Sequence, residues 1–229
     1  MPLPSHLRLN AFKYPLAFIR LLQLLFVVIA LSSINGWDYS LKFECTSDNT
    51  TSPRSVAFST FSYGFISFHY SRSSYCIPQL YKSRNPFRSS GFFYFVQALA
   101  LISLLGAIFL YVVLWELYTD EGRIRLGDLA LTALCFLLFF FSTSIWWSSC
   151  NGIGATGSKD NVISQLTNNE HFFNGVAPPL DSVIVSASNS LLTISVLCGW
   201  VLVGLFAVNC WYIWKEITPT SATNPTSIA

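Results

Sequence analysis

LAFIRLLQLLFVVIALSSI, Leu16 to Ile34, holds one ionisable side chain in nineteen residues, and that one, Arg20, stands near its beginning. About 20 helical residues cross a ~30 Å hydrocarbon core. An arginine near a helix end can carry its guanidinium out to the headgroups along an apolar stem. The stretch therefore predicts a membrane-spanning helix. Phe92–Leu114, Leu129–Trp147 and Leu191–Trp214 read the same way, and the first and last of these three contain no ionised side chain. One such stretch is compatible with the buried helix of a water-soluble domain. Four in 229 residues, with only 10% charged residues and a mean hydropathy of +0.50, leave too little polar chain to wrap them. The expected class is a polytopic membrane protein. A net charge of +2 gives no reason to expect nucleic acid.

The segment Ser32–Ser40, SSINGWDYS, has the small residues of a signal-peptidase site. The apolar run before it exceeds the ~7–15 residues of a signal core, so a retained first span is expected. Four spans put both termini on one side. The polar parts are an arm 1–15, loops 35–91 and 148–190, the turn between spans two and three, and a tail 215–229. Arg8, Lys13, Arg123, Arg125 and Lys215 lie in the arm, turn and tail, while the two longer loops spread seven basic residues thinly. Basic density in short segments favours cytosolic termini, although Lys82, Arg84 and Arg88 near span two count the other way.

WDYSLKFEC, Trp37 to Cys45, alternates apolar and polar without a break, the period of a half-buried strand. FSTFSYGFISFHY, Phe58 to Tyr70, alternates similarly and ends six residues before Cys76. An antiparallel pair follows, with Cys45 and Cys76 expected to form a disulfide. Closing that ring contributes roughly 3–4 kcal/mol in the chain-entropy account, and an isolated hairpin is marginal without such help. The same loop carries Asn49-Thr50-Thr51, an N-glycosylation sequon. A disulfide and a glycan both require the secretory lumen, so loop 35–91 is expected to be lumenal. Cys135, Cys198 and Cys210 lie inside spans and read as small apolar fillers, with Cys210 near enough to the cytosolic end for palmitoylation. Cys150 stands alone at the lumenal end of span three.

Trp115, Tyr118, Trp146, Trp147, Trp211, Tyr212 and Trp214 cluster at span ends, as aromatic belts do. Gln23, Gln97, Ser142–Ser144 and Asn209 are polar residues inside spans, read as interhelical hydrogen-bonding groups before any transport path. In span four, Ser195, Gly199, Gly204 and Asn209 are the expected helix-association residues, because small side chains permit close backbone approach in lipid. Leu114–Tyr118–Arg123 and Val208–Tyr212–Lys215 fit the loose sterol-contact pattern, which makes cholesterol a candidate ligand of the bilayer-facing surface. Asp128 and Glu116 lie at span edges, and the histidines lie outside the spans. Nothing resembles a metal-ligand spacing, nucleophile elbow or phosphate loop. No enzyme, cofactor or metal site is expected.

Four longer segments together resemble the synaptophysin family, four-span vesicle proteins with a MARVEL-type core. They are NAFKYPLAFIRLLQLLF (Asn10–Phe26), LKFEC followed by the Asn49 sequon, DLALTALCFLLFFFSTSIWWSS (Asp128–Ser149), and NSLLTISVLCGWVLVGLFAVNCWYIWKE (Asn189–Glu216). The resemblance runs from about Asn10 to Ile217. It departs in lacking a cysteine pair in the second loop and a long tyrosine- and glycine-rich tail, and KEITPTSATNPTSIA reads as unfolded by composition.

The resulting expectation is an all-α membrane protein, a MARVEL-like four-helix bundle with a small disulfide-tied lumenal hairpin or sheet. The resemblance implies a non-enzymatic protein of synaptic or other secretory vesicles, acting in their organisation, exocytosis and recycling. It also implies self-association and binding of synaptobrevin-type partners. A claudin-like junction protein and an oligomeric pore are the alternatives. The former is disfavoured because no Gly-Leu-Trp stands between Trp37 and Cys45. Tetraspanins are disfavoured because their larger loop is the second and carries a Cys-Cys-Gly motif.

Overall fold

The computed structural model describes residues 15–47, 50–59, 67–70, 88–114, 118, 122–168, 184–187 and 189–217. In chain order the elements are α1 (Pro15–Asn35), β1 (Asp38–Ser47), β2 (Thr50–Ser59), β3 (Ser67–Tyr70), α2 (Arg88–Val113), α3 (Gly122–Thr156), α4 (Lys159–Asn168), β4 (Ile184–Ala187) and α5 (Asn189–Ile217). Helices α1, α2, α3 and α5 are each long and apolar enough to cross a membrane, which fits a multi-pass membrane protein.

The apolar stretches lie inside these helices, save Leu114 one residue past the end of α2, and otherwise the helices outrun them. Helix α3 begins seven residues before the expected span and ends nine after it. Hydropathy marks the part of a helix that lipid would cover, whereas backbone hydrogen bonding continues through flanking polar residues. At the start of α1, Pro15 takes the first helical position, where its missing N–H costs nothing and its fixed φ suits the helix. At the other end Gly36 N–H donates to Ser32 O at 3.0 Å. A Cβ at Gly36 would lie 3.3 Å from Leu191 Cδ1, so the glycine lets the end of α1 approach the start of α5. Helix α4 falls inside the expected loop 148–190. Ser158 O accepts from Val162 N–H at 3.0 Å, and Asp160 places a carboxylate in the first turn, where the helix dipole favours it.

The strands form one antiparallel sheet in the order β3-β2-β1-β4. The partner of β1 differs from the expected one. Instead of Phe58–Tyr70, Thr50–Ser59 pairs along β1, with Asp38 opposite Ser59 and Ser47 opposite Thr50. The remainder of the expected strand divides, and Ser67–Tyr70 pairs with the far end of β2. Pairing across a two-residue connection closes the smallest loop, which favours it over a longer excursion. Pro53 breaks the alternation in β2 and masks the strand in the hydropathy pattern. It sits opposite Glu44, outside the Val56–Ser59 stretch that β3 covers, so its missing N–H removes no pairing to β3. Cys45 lies in β1 opposite Ser52. Cys76 and Asn49 lie outside the described residues, and so does the expected Cys45–Cys76 bond.

By packing, the chain divides into two units, Met1–Val27 with Val96–Phe140 and Trp200–Ala229, and Val28–Phe95 with Phe141–Gly199. In the second unit Trp37 and Tyr39 are buried and stack at 6.5 Å, with Asp38 exposed between them. Tyr39 Oη donates to Gly157 O at 3.3 Å, which ties the start of the sheet to the end of α3, and burial pushes its hydroxyl pKa up to about 12. Trp146, expected in the aromatic belt, is instead fully buried. It stacks on Phe93 at 5.5 Å and donates Nε1–H to Ser195 Oγ at 2.9 Å. Its neighbour Trp147 turns outward, as adjacent residues on a helix must diverge by about 100°.

In the first unit Phe139 stacks on Phe206 at 5.2 Å and Phe140 meets Trp200 edge-on at 5.9 Å. On the outside of this unit, Ile102, Phe109, Leu137 and Trp211 keep half or more of their surface uncovered. So much outward apolar surface is unstable in water and ordinary against lipid.

Gly199 shows how tightly the second unit packs. A Cβ there would lie 2.7 Å from Thr143 Oγ1 and 2.8 Å from its Cγ2. Thr143 is β-branched and helical, so it has little rotamer freedom to move aside. Gly199→Ala is expected to destabilise by about 1–3 kcal/mol, and Thr143→Ala in the same chain should return most of it. Thermal unfolding of the detergent-solubilised protein measures both. An unchanged melting temperature for Gly199→Ala would contradict the packing.

Candidate functional site

Arg20 lies five residues into α1 and Asp128 six residues into α3. Successive spans alternate in direction, so spans one and three run parallel and equal sequence depth becomes equal membrane depth. The two side chains meet. Arg20 Nη2 lies 2.7 Å from Asp128 Oδ1, with 2% of Arg20 and 8% of Asp128 exposed.

Further contacts to the pair come from its own two helices and from the other two long ones. Arg20 Nη2 also donates to Thr132 Oγ1 at 2.6 Å, and Nη1 lies 3.4 Å from Gln23 Oε1. Thr132 donates its own hydroxyl proton to Asp128 O, 2.6 Å away, one turn back. From α5, Asn209 turns its amide oxygen to the guanidinium, 3.0 Å from Nε and 3.1 Å from both Nη atoms. That orientation is required because an amide N–H facing a cation would set donor against donor. From the end of α2, Tyr111 Oη donates to Asp128 Oδ2, and beyond it Tyr118 Oη reaches the same oxygen at 3.4 Å. The two tyrosine rings meet edge-on at 5.0 Å. Leu16, Ala17, Ala107 and Ile213 close around them.

The result is a charge-neutral cluster drawing on all four long helices. An arginine or aspartate placed alone at the centre of a spanning helix costs roughly 2.5–3.5 kcal/mol on insertion scales. Pairing cancels the charge, and the tyrosines, threonine and asparagine satisfy the remaining donors and acceptors. Such an arrangement holds helices together, and of its side chains the Gln23 amide keeps a buried Nε2 without a hydrogen-bond partner.

From the sequence, Arg20 is expected to snorkel and Asp128 to lie at a span edge. Both instead turn inward because a partner of opposite sign waits at the same depth, and pairing within a low dielectric outweighs extension to the headgroups. The signal that could reveal the pair is one cation and one anion at matching offsets in two parallel spans.

The span-four residues expected to serve lateral association divide. Ser195 is buried, accepts from Trp146 and donates to Leu192 O at 2.7 Å; Gly199 faces Thr143; Asn209 faces Arg20. These three pack within their own chain, Ser195 and Asn209 by hydrogen bonds and Gly199 by close approach. Of the four, Gly204 alone is exposed, and a Cβ there would meet no other atom within 4 Å. The sterol-contact sets divide as well. Tyr118 is buried on Asp128, Leu114 is half-buried and Arg123 exposed, so the first set offers no continuous outer face. Val208, Tyr212 and Lys215 are all exposed on α5.

Gln97 is fully buried with neither amide atom hydrogen-bonded, unlike Asn209. Cys135, Cys150, Cys198 and Cys210 are free thiols, and Cys135 Sγ lies 4.0 Å from Ser103 Oγ. Among the described residues no three His, Cys, Asp or Glu side chains gather to hold a metal ion. The class defined by this fold is thus a multi-pass membrane bundle with an internal ion pair. No family model matches the chain.

The two charges of the pair differ in how they tolerate loss of a partner. A stranded carboxylate can take up a proton, whereas a guanidinium stays charged. Asp128→Leu is therefore expected to destabilise by roughly 3–5 kcal/mol, and Arg20→Met by clearly less. Tyr111→Phe, which deletes one hydrogen bond to a charged acceptor, should cost about 1.5–3 kcal/mol. Denaturation in detergent ranks the three, and a larger loss for Arg20→Met than for Asp128→Leu would refute the assignment.

Proposed function

We propose that this chain is a non-enzymatic scaffold of synaptic or other secretory transport vesicles, with both termini cytosolic and the sheet-bearing loops lumenal. The observation that carries the reading is the inward consumption of polarity. Arg20, Asp128, Thr132 and Asn209 satisfy one another, while the outer faces of α2, α3 and α5 are apolar. A bundle of this kind interacts with lipid and with other helices rather than with soluble substrates. The resemblance to the synaptophysin family adds the specific content: a MARVEL-like core, self-association, a synaptobrevin-type transmembrane partner, and roles in exocytosis and vesicle recycling. In this reading Asn49 carries a glycan and Cys45 pairs with Cys76. Val208, Tyr212 and Lys215 are the residues that meet sterol.

A claudin-like junction protein is the second reading, favoured by the buried Trp37 at the head of a sheet that draws on both loops. An epitope-tagged copy separates the two. Co-purification with small transport vesicles is the expected result, and concentration at cell–cell contacts would replace the vesicle reading with the junction one. The covalent chemistry is checked independently: mass mapping after non-reducing alkylation should find Cys45 joined to Cys76. Free thiols at both positions would place that loop outside an oxidising compartment.

A further inference from the structure

Among the described residues of α1, α2 and α3, Asp128 is the sole carboxylate, and α5 carries one only at Glu216, beside its end. Among the described residues of the long helices Arg20 therefore has one anionic partner at its depth, and that partner arrives more than a hundred residues later in the chain. Until it does, span one holds a cation without the carboxylate it pairs with in the fold.

We propose that the Arg20–Asp128 pair is a same-chain recognition element that selects span three as the partner of span one, so that the bundle closes only when the third span is in place. The pair has the features this role needs. It is made by two parallel helices at matched offsets, five residues after Pro15 and six after Gly122, so a shift of either helix along its axis separates the charges. Asn209 on α5 and Tyr111 on α2 bond to opposite members of the pair, the first to the cation and the second to the anion. Spans two and four thus dock on the completed pair. Apolar surface cannot supply this selection, because lipid tails solvate one leucine-rich face as well as another. The inference needs only that the four helices cross a bilayer, and stands apart from the vesicle reading.

The experiment expresses the full chain with Arg20→Asp, with Asp128→Arg, with both, and with Arg20→Met/Asp128→Leu beside Asp128→Leu alone. The readouts are the fraction extracted in mild detergent as a monodisperse species and the rate of maleimide labelling at Cys135, which is buried in α3. Each single reversal puts like charges together and should lower the monodisperse fraction by about tenfold or more. The exchanged pair should recover it with Cys135 protected again, whereas the apolar pair should exceed Asp128→Leu alone in extracted fraction without restoring that protection. Failure of the exchanged pair to recover would overturn the proposal, since the charges would then act separately, and so would full protection of Cys135 in the apolar pair, since selection would then need no charge. The same-chain element has its own arm. Arg20→Asp and Asp128→Arg chains produced together in one membrane have complementary spans one and three, and are expected to stay unrecovered. Recovery of that mixture would show span exchange between copies and overturn it.

Discussion

A guanidinium and a carboxylate, 2.7 Å apart and closed off from solvent, set the terms for the rest of this bundle. Neither charge is tolerable alone in hydrocarbon, and neither is satisfied by the other alone, because an arginine has five N–H groups and a carboxylate two oxygens. The surplus is met by Thr132, Gln23, Asn209, Tyr111 and Tyr118, which together bring in every long helix. The geometry of α2 and α5 is in this sense answerable to the pair between α1 and α3. Replacing buried ion pairs with apolar residues is often neutral or stabilising, so the value of this one lies in selectivity more than in raw stability.

The second unit is organised differently. Its contacts are shape and stacking: Gly199 admits Thr143, Gly36 admits Leu191, and Trp146 lies on Phe93 with its indole N–H satisfied by Ser195. Where small residues face outward in soluble helices they are usually incidental, but here the two glycines mark where another element comes closest. The small sheet joins this unit through Trp37 and Tyr39, whose burial supplies the cover that an amphipathic strand requires. Its fourth strand comes from the second long loop, so the sheet ties together two segments far apart in sequence.

Among the described residues these internal commitments leave largely apolar outer faces on the long helices, and they narrow what those faces can use for recognition. Ser195, Gly199 and Asn209 are engaged within the chain, so partner helices would have to read the outward positions instead, among them Gly204 and the Val208–Tyr212–Lys215 edge.

The number, order and approximate extent of the four long helices are legible in the sequence, because the apolar length needed to cross hydrocarbon is a one-dimensional quantity. So is the strand beginning after Trp37, whose alternation is local. The direction in which each side chain points is not. In the sequence Arg20 looks free to reach the headgroups, Trp146 looks like a belt residue, and Asn209 and Gly199 look like an outer contact, since hydropathy assigns depth but not azimuth around a helix. Phe58–Tyr70 looks like the partner of β1, a place that a proline-containing strand closer in sequence takes in the fold. Only the tertiary structure decides which face of each helix meets which, because that choice rests on a charge, a hydroxyl or a missing Cβ finding its complement on a distant segment of the chain.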